Sequence, residues 1–132
     1  MTDTRAEEQR GGMLAAVSRA LVALHKEQFG RGPRSARTEF AGEDTLVCVM
    51  EEALLPAERA MVSMGDHARV RDSRGAFQAA TRTQFVGAVE EIVSREVRAF
   101  ASAVDPDSNV VWEIFTFTPL AAERDGAAPE PV

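Results

Sequence analysis

The sequence predicts an α+β fold: two α-β-β halves whose strands form one four-stranded antiparallel sheet. Three observations predict it. Two long stretches, residues 7–29 and 66–96, repeat apolar residues at three- and four-residue steps, the period of a helix with one buried face. Each stretch is followed by two short apolar runs separated by turn chemistry, "AGED" in the first half and "DPDS" in the second. A short proline-started segment joins the halves. Hairpins supply antiparallel pairs, so the simple packing solution places both long helices on one face of the sheet, with a short connecting helix.

The elements follow in order. In the first helix Leu14, Val17, Leu21, Leu24 and Gln28 form the stripe, with Arg10, Ser18, Arg19 and Lys26 opposite. Gly30 stands in the C-cap place and Pro33 forbids resumption. Strands are expected at residues 35–41 and 45–51. In the second strand Leu46, Cys48 and Met50 face one way and Val47 and Val49 the other, which marks a strand apolar on both faces. Pro56 suits a first helical position and Glu58 the first turn, predicting a short helix to residue 63. Asp66 is the expected N-cap of the second long helix, whose stripe is Val70, Phe77, Phe85, Val89 and Ile92. The last two strands are "VRAFASAVD" and "NVVWEIFTFT"; in the latter, Glu113 interrupts two apolar faces. The expected organisation is a polar, flexible segment at residues 1–12, one domain at 13–118, and a disordered tail at 119–132. The second sheet face carries apolar residues, so a second chain is expected to cover it, most simply in a homodimer.

Composition excludes some functions. The net charge is −6 and the pI near 5.0, which opposes nucleic-acid binding, since that needs a basic face. No run approaches the length of a membrane span, and residues 1–12 lack the apolar segment of a signal peptide, so the expected compartment is the cytoplasm, with no membrane insertion. The single cysteine, Cys48, has no disulfide partner within the chain.

Few motifs carry chemistry. The two histidines, His25 and His67, lie in different elements, and no metal-ligand spacing occurs, so neither metal nor cofactor is expected. His25, near a helix end, is expected to serve the helix dipole or face solvent, and His67 the same. Serine-nucleophile and phosphate-loop motifs are absent, and Cys48 sits in a strand as a small hydrophobe. The paired carboxylates Glu51, Glu52 and Glu90, Glu91 are expected to be solvated. On these grounds the chain is not expected to be an enzyme. One constellation stands out: Arg31, Arg34 and Arg37 in the first connection, and Arg71 and Arg74 one turn apart on the second long helix. Together they would form an anion or partner site; alternatively they pair with carboxylates such as Asp66 and Asp72. Fourteen of the fifteen basic residues are arginine, a bias that a GC-rich coding sequence also produces.

The strings "LHKEQFGRGP", "LLPAERAM" and "VRDSRGAFQAATRTQFVGAVEEIVSREVRAFASAVDPDSNVVWEIF" resemble the small bacterial MpsC-like domain, named for a Na+-translocating, membrane-potential-generating system. The matching features are the Gly30, Arg31, Gly32, Pro33 turn, Glu58 in the short helix, and Arg71 and Arg74 at the opening of the long one. Pro56 stands where the family has threonine, and "SRE" where it has a glycine before the third strand. The resemblance implies a soluble accessory or regulatory module linked to a membrane ion or bicarbonate transport system, with a membrane transport protein as partner. The alternative is a protein that binds a small anion (bicarbonate, phosphate or a nucleotide) through Arg31, Arg34, Arg37, Arg71 and Arg74.

Overall fold

A computed structural model describes residues 4–120 of the 132. The element order is α1 (Thr4–Phe29), β1 (Ser35–Phe40), β2 (Thr45–Glu51), α2 (Pro56–Ser63), α3 (His67–Val93), β3 (Val97–Asp105) and β4 (Val110–Phe117). The sheet order is β1-β2-β4-β3 and every pairing is antiparallel, so each half contributes one hairpin and the halves meet at β2 and β4. This is the expected α+β fold. Helix α1 packs over β1, α3 over β3, and the two helices touch each other.

The turns are made by the residues that announce them. Gly30 takes φ +81° and its N–H donates to the Lys26 carbonyl at 2.8 Å, closing α1. Asp66 caps α3 through Oδ1, which accepts from the Arg69 N–H. Ser94 ends α3 in the left-handed region at φ 60°, a conformation that glycine adopts more freely. Asn109, also left-handed, leads into β4, and its Oδ1 accepts from the Leu54 N–H at 2.8 Å, fastening the approach to α2 onto the second hairpin.

Strand alternation sorts the sheet into two faces. Toward the helices point Leu46, Cys48 and Met50 of β2, Val111, Phe115 and Phe117 of β4, and Phe100 of β3, all buried. Val17 and Leu21 of α1 and Phe85 and Val89 of α3 close the core from above. Away from the helices the registered rows are Arg37, Val49, Trp112 and Ala103, then Glu39, Val47, Ile114 and Ala101. Val47, Val49, Trp112 and Ile114 on this face remain partly exposed.

The structure corrects several expectations. Helix α1 begins at Thr4, before the expected start at residue 7, and residues 4–12 are helical and exposed. Strand β1 stops at Phe40, where the Ala41 N–H already closes the turn onto Thr45. Phe77 is 41% exposed and lies against Phe29, with ring centroids 4.8 Å apart, at the rim of the core. Of the expected tail, residues 121–132 lie outside the described residues.

Candidate functional site

Arg74 is the organising residue. It projects from α3 toward the loop before α2 and toward the end of α1, with 9% of its side chain exposed. Its Nε donates to Glu58 Oε2 at 2.8 Å and its Nη2 to Glu58 Oε1 at 2.6 Å, a bidentate ion pair. Nη2 also donates to the Ala53 carbonyl, and the guanidinium lies 4.1 Å from the Phe29 ring centre. Glu58 is held ready by local sequence. Pro56 starts α2, and Glu58 reaches back so that Oε1 accepts from the Leu55 N–H at 2.8 Å. The pair therefore ties α2 to α3, and the Ala53 bond adds the preceding loop.

His25 completes the cluster. It is 1% exposed, and Arg74 Nη1 lies 2.8 Å from its Nε2. A guanidinium can only donate, so Nε2 accepts and the imidazole proton is on Nδ1. Burial, then the positive charge of Arg74, lowers its pKa to about 4, against an opposing pull from Glu58. His25 is thus a neutral core histidine, and the expectation that it serves the helix dipole or solvent is corrected. Its Nδ1 is buried and has no hydrogen-bond partner.

Beneath this cluster a polar row crosses the buried sheet face. In register, β1 places Thr38, β2 Cys48, β4 Glu113 and β3 Ser102 side by side. The Ser18 hydroxyl of α1 bonds that of Thr38 at 2.7 Å. Glu113 is 4% exposed, and its Oε2 is without a partner. Burial drives its pKa up to about 7, moderated by hydrogen bonding from Ser102 and by Arg74. Burial likewise pushes the Cys48 thiol up to about 11, so it is an inert thiol at neutral pH.

His25, Arg74, Gln78, Ser102 and Glu113 line a chamber of about 20 Å³ under α1 and α3. Arg74, Gln78 and Ser102 also line a cleft of about 290 Å³ between α3 and β3, with Arg71, Val104 and Val111. The chamber and the cleft therefore share a wall.

The five predicted arginines do not share one site. Arg31 lines a separate cavity of about 530 Å³ with Arg59, Glu52 and Asn109. Arg34 lies on the surface 3.6 Å from Glu52. Arg37 points to the open sheet face beside Val49. Only Arg71 and Arg74 line a common cleft. Asp66 pairs with Arg69, and the carboxylate on Arg74 is Glu58. His67 bonds Asp107 at 2.7 Å, which replaces the expected dipole or solvent role. Glu90 is not merely solvated, since its Oε2 accepts from the Val97 N–H. Among the described residues no group of three or more His, Cys, Asp or Glu could hold a metal ion, and no helix is long and apolar enough to cross a membrane.

Residues 9–119 match the family model described as "Na+-translocating membrane potential-generating system (MpsC)". The chain belongs to the MpsC family. No curated protein and no solved structure matches it. In this MpsC chain Arg74 joins Glu58 of α2 to His25 and Phe29 at the end of α1. Sequence reasoning missed His25 and Glu113 as members of the cluster. Their signal was present in Glu113, the one charge inside the apolar run "VVWEIFTF".

Proposed function

We propose that the protein is a non-enzymatic cytoplasmic accessory or regulatory module of a membrane ion or bicarbonate transport system, working as a homodimer. The family description supports the link to a membrane system, and the absence of a spanning helix among the described residues suits an accessory part. The observation that carries the reading is the open sheet face. Val47, Val49, Trp112 and Ile114 form a contiguous, partly exposed apolar patch at the centre of the sheet. Such patches mark interaction sites. Arg37 and Glu39 flank it on the edge strand β1.

Light scattering after size exclusion tests the assembly. A mass of twice the chain is expected at micromolar concentrations, and Trp112→Glu should give the single-chain mass with unchanged circular dichroism. A single-chain mass for the unaltered protein would refute the dimer. Co-purification from detergent-solubilised host membranes then tests the partner. A transport protein should be recovered by the unaltered chain and lost with Arg31→Ala/Arg34→Ala or with Trp112→Glu. Recovery of no membrane protein would count against the accessory role.

A further inference from the structure

The buried side of the sheet carries a separate site, independent of the reading above. We propose that the chamber between α1, α3 and the sheet binds one oxygen of a small carboxylate, held by donated hydrogen bonds from His25, Arg74 and Glu113 in its acid form, with Arg71 at the mouth.

The argument rests on unspent donors. Arg74 has five N–H groups, and four are committed to Glu58, His25 and Ala53. The fifth, on Nη1, remains. His25 Nδ1–H is buried and unpartnered, and so is Glu113 Oε2. Both residues are at least 96% buried and line the same chamber as Arg74. The Gln78 amide adds further donors at the wall between chamber and cleft. A water molecule brings two hydrogens that themselves need acceptors, whereas an ionised carboxylate oxygen only accepts, and accepts more strongly than a neutral one. The chamber volume, about 20 Å³, admits an oxygen of such a group and not its bulk. The rest of the ligand occupies the adjoining cleft, where Val104 and Val111 give an apolar wall. Arg71 lines that cleft and forms no ion pair among the described residues, so it supplies the compensating charge.

Charge decides the protonation. Arg74 is neutralised by Glu58, and His25 is neutral. The other groups facing Glu113 are Cys48 on β2, held as a thiol, and Ser102 on β3. With Glu113 protonated the chamber is uncharged and rich in donors. With Glu113 ionised, a second carboxylate would meet a buried like charge. Burial places this change near pH 7. Binding above that pH must therefore take one proton from solvent onto Glu113.

Formate is the probe, titrated calorimetrically against sodium chloride at matched ionic strength, at pH 6 and pH 8.5, each in two buffers of different ionisation enthalpy. The expected result is saturable binding at pH 6 with little proton uptake. At pH 8.5 affinity should be weaker by roughly tenfold per pH unit above 7, with about one proton taken up per formate. Glu113→Gln should keep the pH 6 affinity at pH 8.5 without proton uptake, and Arg71→Ala should weaken binding at both. No heat beyond that of chloride at either pH would overturn the proposal and leave solvent only in the chamber. Binding of equal affinity at both pH values without proton uptake would also overturn it, placing formate on surface arginines. The buffer-pair measurement on the unaltered protein decides the matter even if Glu113→Gln fails to fold.

Discussion

Along one registered row, the two faces of the sheet reverse the usual rule for polarity. On the face under the helices, neighbouring positions carry Thr38, Cys48, Glu113 and Ser102, and none of them is exposed. One residue further along each strand, the opposite face carries Arg37, Val49, Trp112 and Ala103, partly or wholly exposed. Burial of a polar group costs free energy unless it is paired, and exposure of an apolar group forfeits the gain of burying it. Neither face is optimal for an isolated folded chain. The buried face keeps its polar row because the row is largely satisfied from within and from α1: the Ser18 hydroxyl bonds Thr38, Thr38 hydrogen-bonds Cys48, and Ser102 hydrogen-bonds Glu113. The atoms left over define the chamber. The open face has no such internal solution, and its apolar centre stays partly exposed.

The largest expected effect lies on the buried face. Arg74→Ala strips Glu58 of its bidentate partner and His25 of its donor in one step. A loss of about 3–5 kcal/mol, measured by urea unfolding, is expected for breaking a buried pair in this way. Arg74→Lys should rescue little, because an ammonium cannot span Glu58, His25 and Ala53 at once.

The pH dependence of stability comes next and has two opposed parts. Glu113 titrates at about 7 in the folded chain against an ordinary value of 4.5, so the folded state holds the extra proton between those values. Its contribution is present below 4.5 and lost as pH rises to 7, a change of about 3 kcal/mol. His25 titrates at about 4 against 6.5, so the unfolded state holds the extra proton. Its contribution is present above 6.5 and lost as pH falls toward 4, again by about 3 kcal/mol. Between pH 4.5 and 6.5 the two slopes oppose each other and the unaltered protein should be nearly flat. Glu113→Gln should expose a rise of stability with pH over that interval, and His25→Gln a fall. Identical slopes in both variants would show that these groups do not titrate as their burial requires.

On the open face, Trp112→Glu should act on assembly, with self-association weakened by at least an order of magnitude on the scale of an interface anchor. The fold of the separated chain should survive, since that side chain is not part of the core cluster. The smallest effect is expected for Arg34→Ala. Its ion pair with Glu52 is long and exposed, so the unfolding free energy should change by less than about 0.5 kcal/mol. A larger loss would give the first connection a structural role that its geometry does not show.

Much of this molecule could be read from the chain. Glycine and proline after residue 29, Asp-Pro-Asp-Ser after residue 104 and the two helical stripes set the element order to within a few residues. Alternation in "TLVCVM" and "VVWEIF" marked both central strands. These signals are local, because turn conformations and side-chain periods depend on neighbours in sequence. The arginine constellation was the point of failure. Arg31, Arg34 and Arg37 share a spacing but diverge onto a cavity, the surface and the open sheet face. Arg74 was visible as a charge on α3, but not its choice of Glu58, sixteen residues away, over Asp72.

By itself, then, the sequence determined the fold class, the hairpins, the two-faced central strands and the family. Only the tertiary structure decided that His25 is neutral, that Glu113 and Ser102 lie side by side, and that Arg74 joins α1, α2 and α3. The physical reason is that charge state and hydrogen-bond partnership depend on burial and on register between strands distant in sequence. Periodicity tells which face a residue points to, and the packed chain alone tells what meets it there.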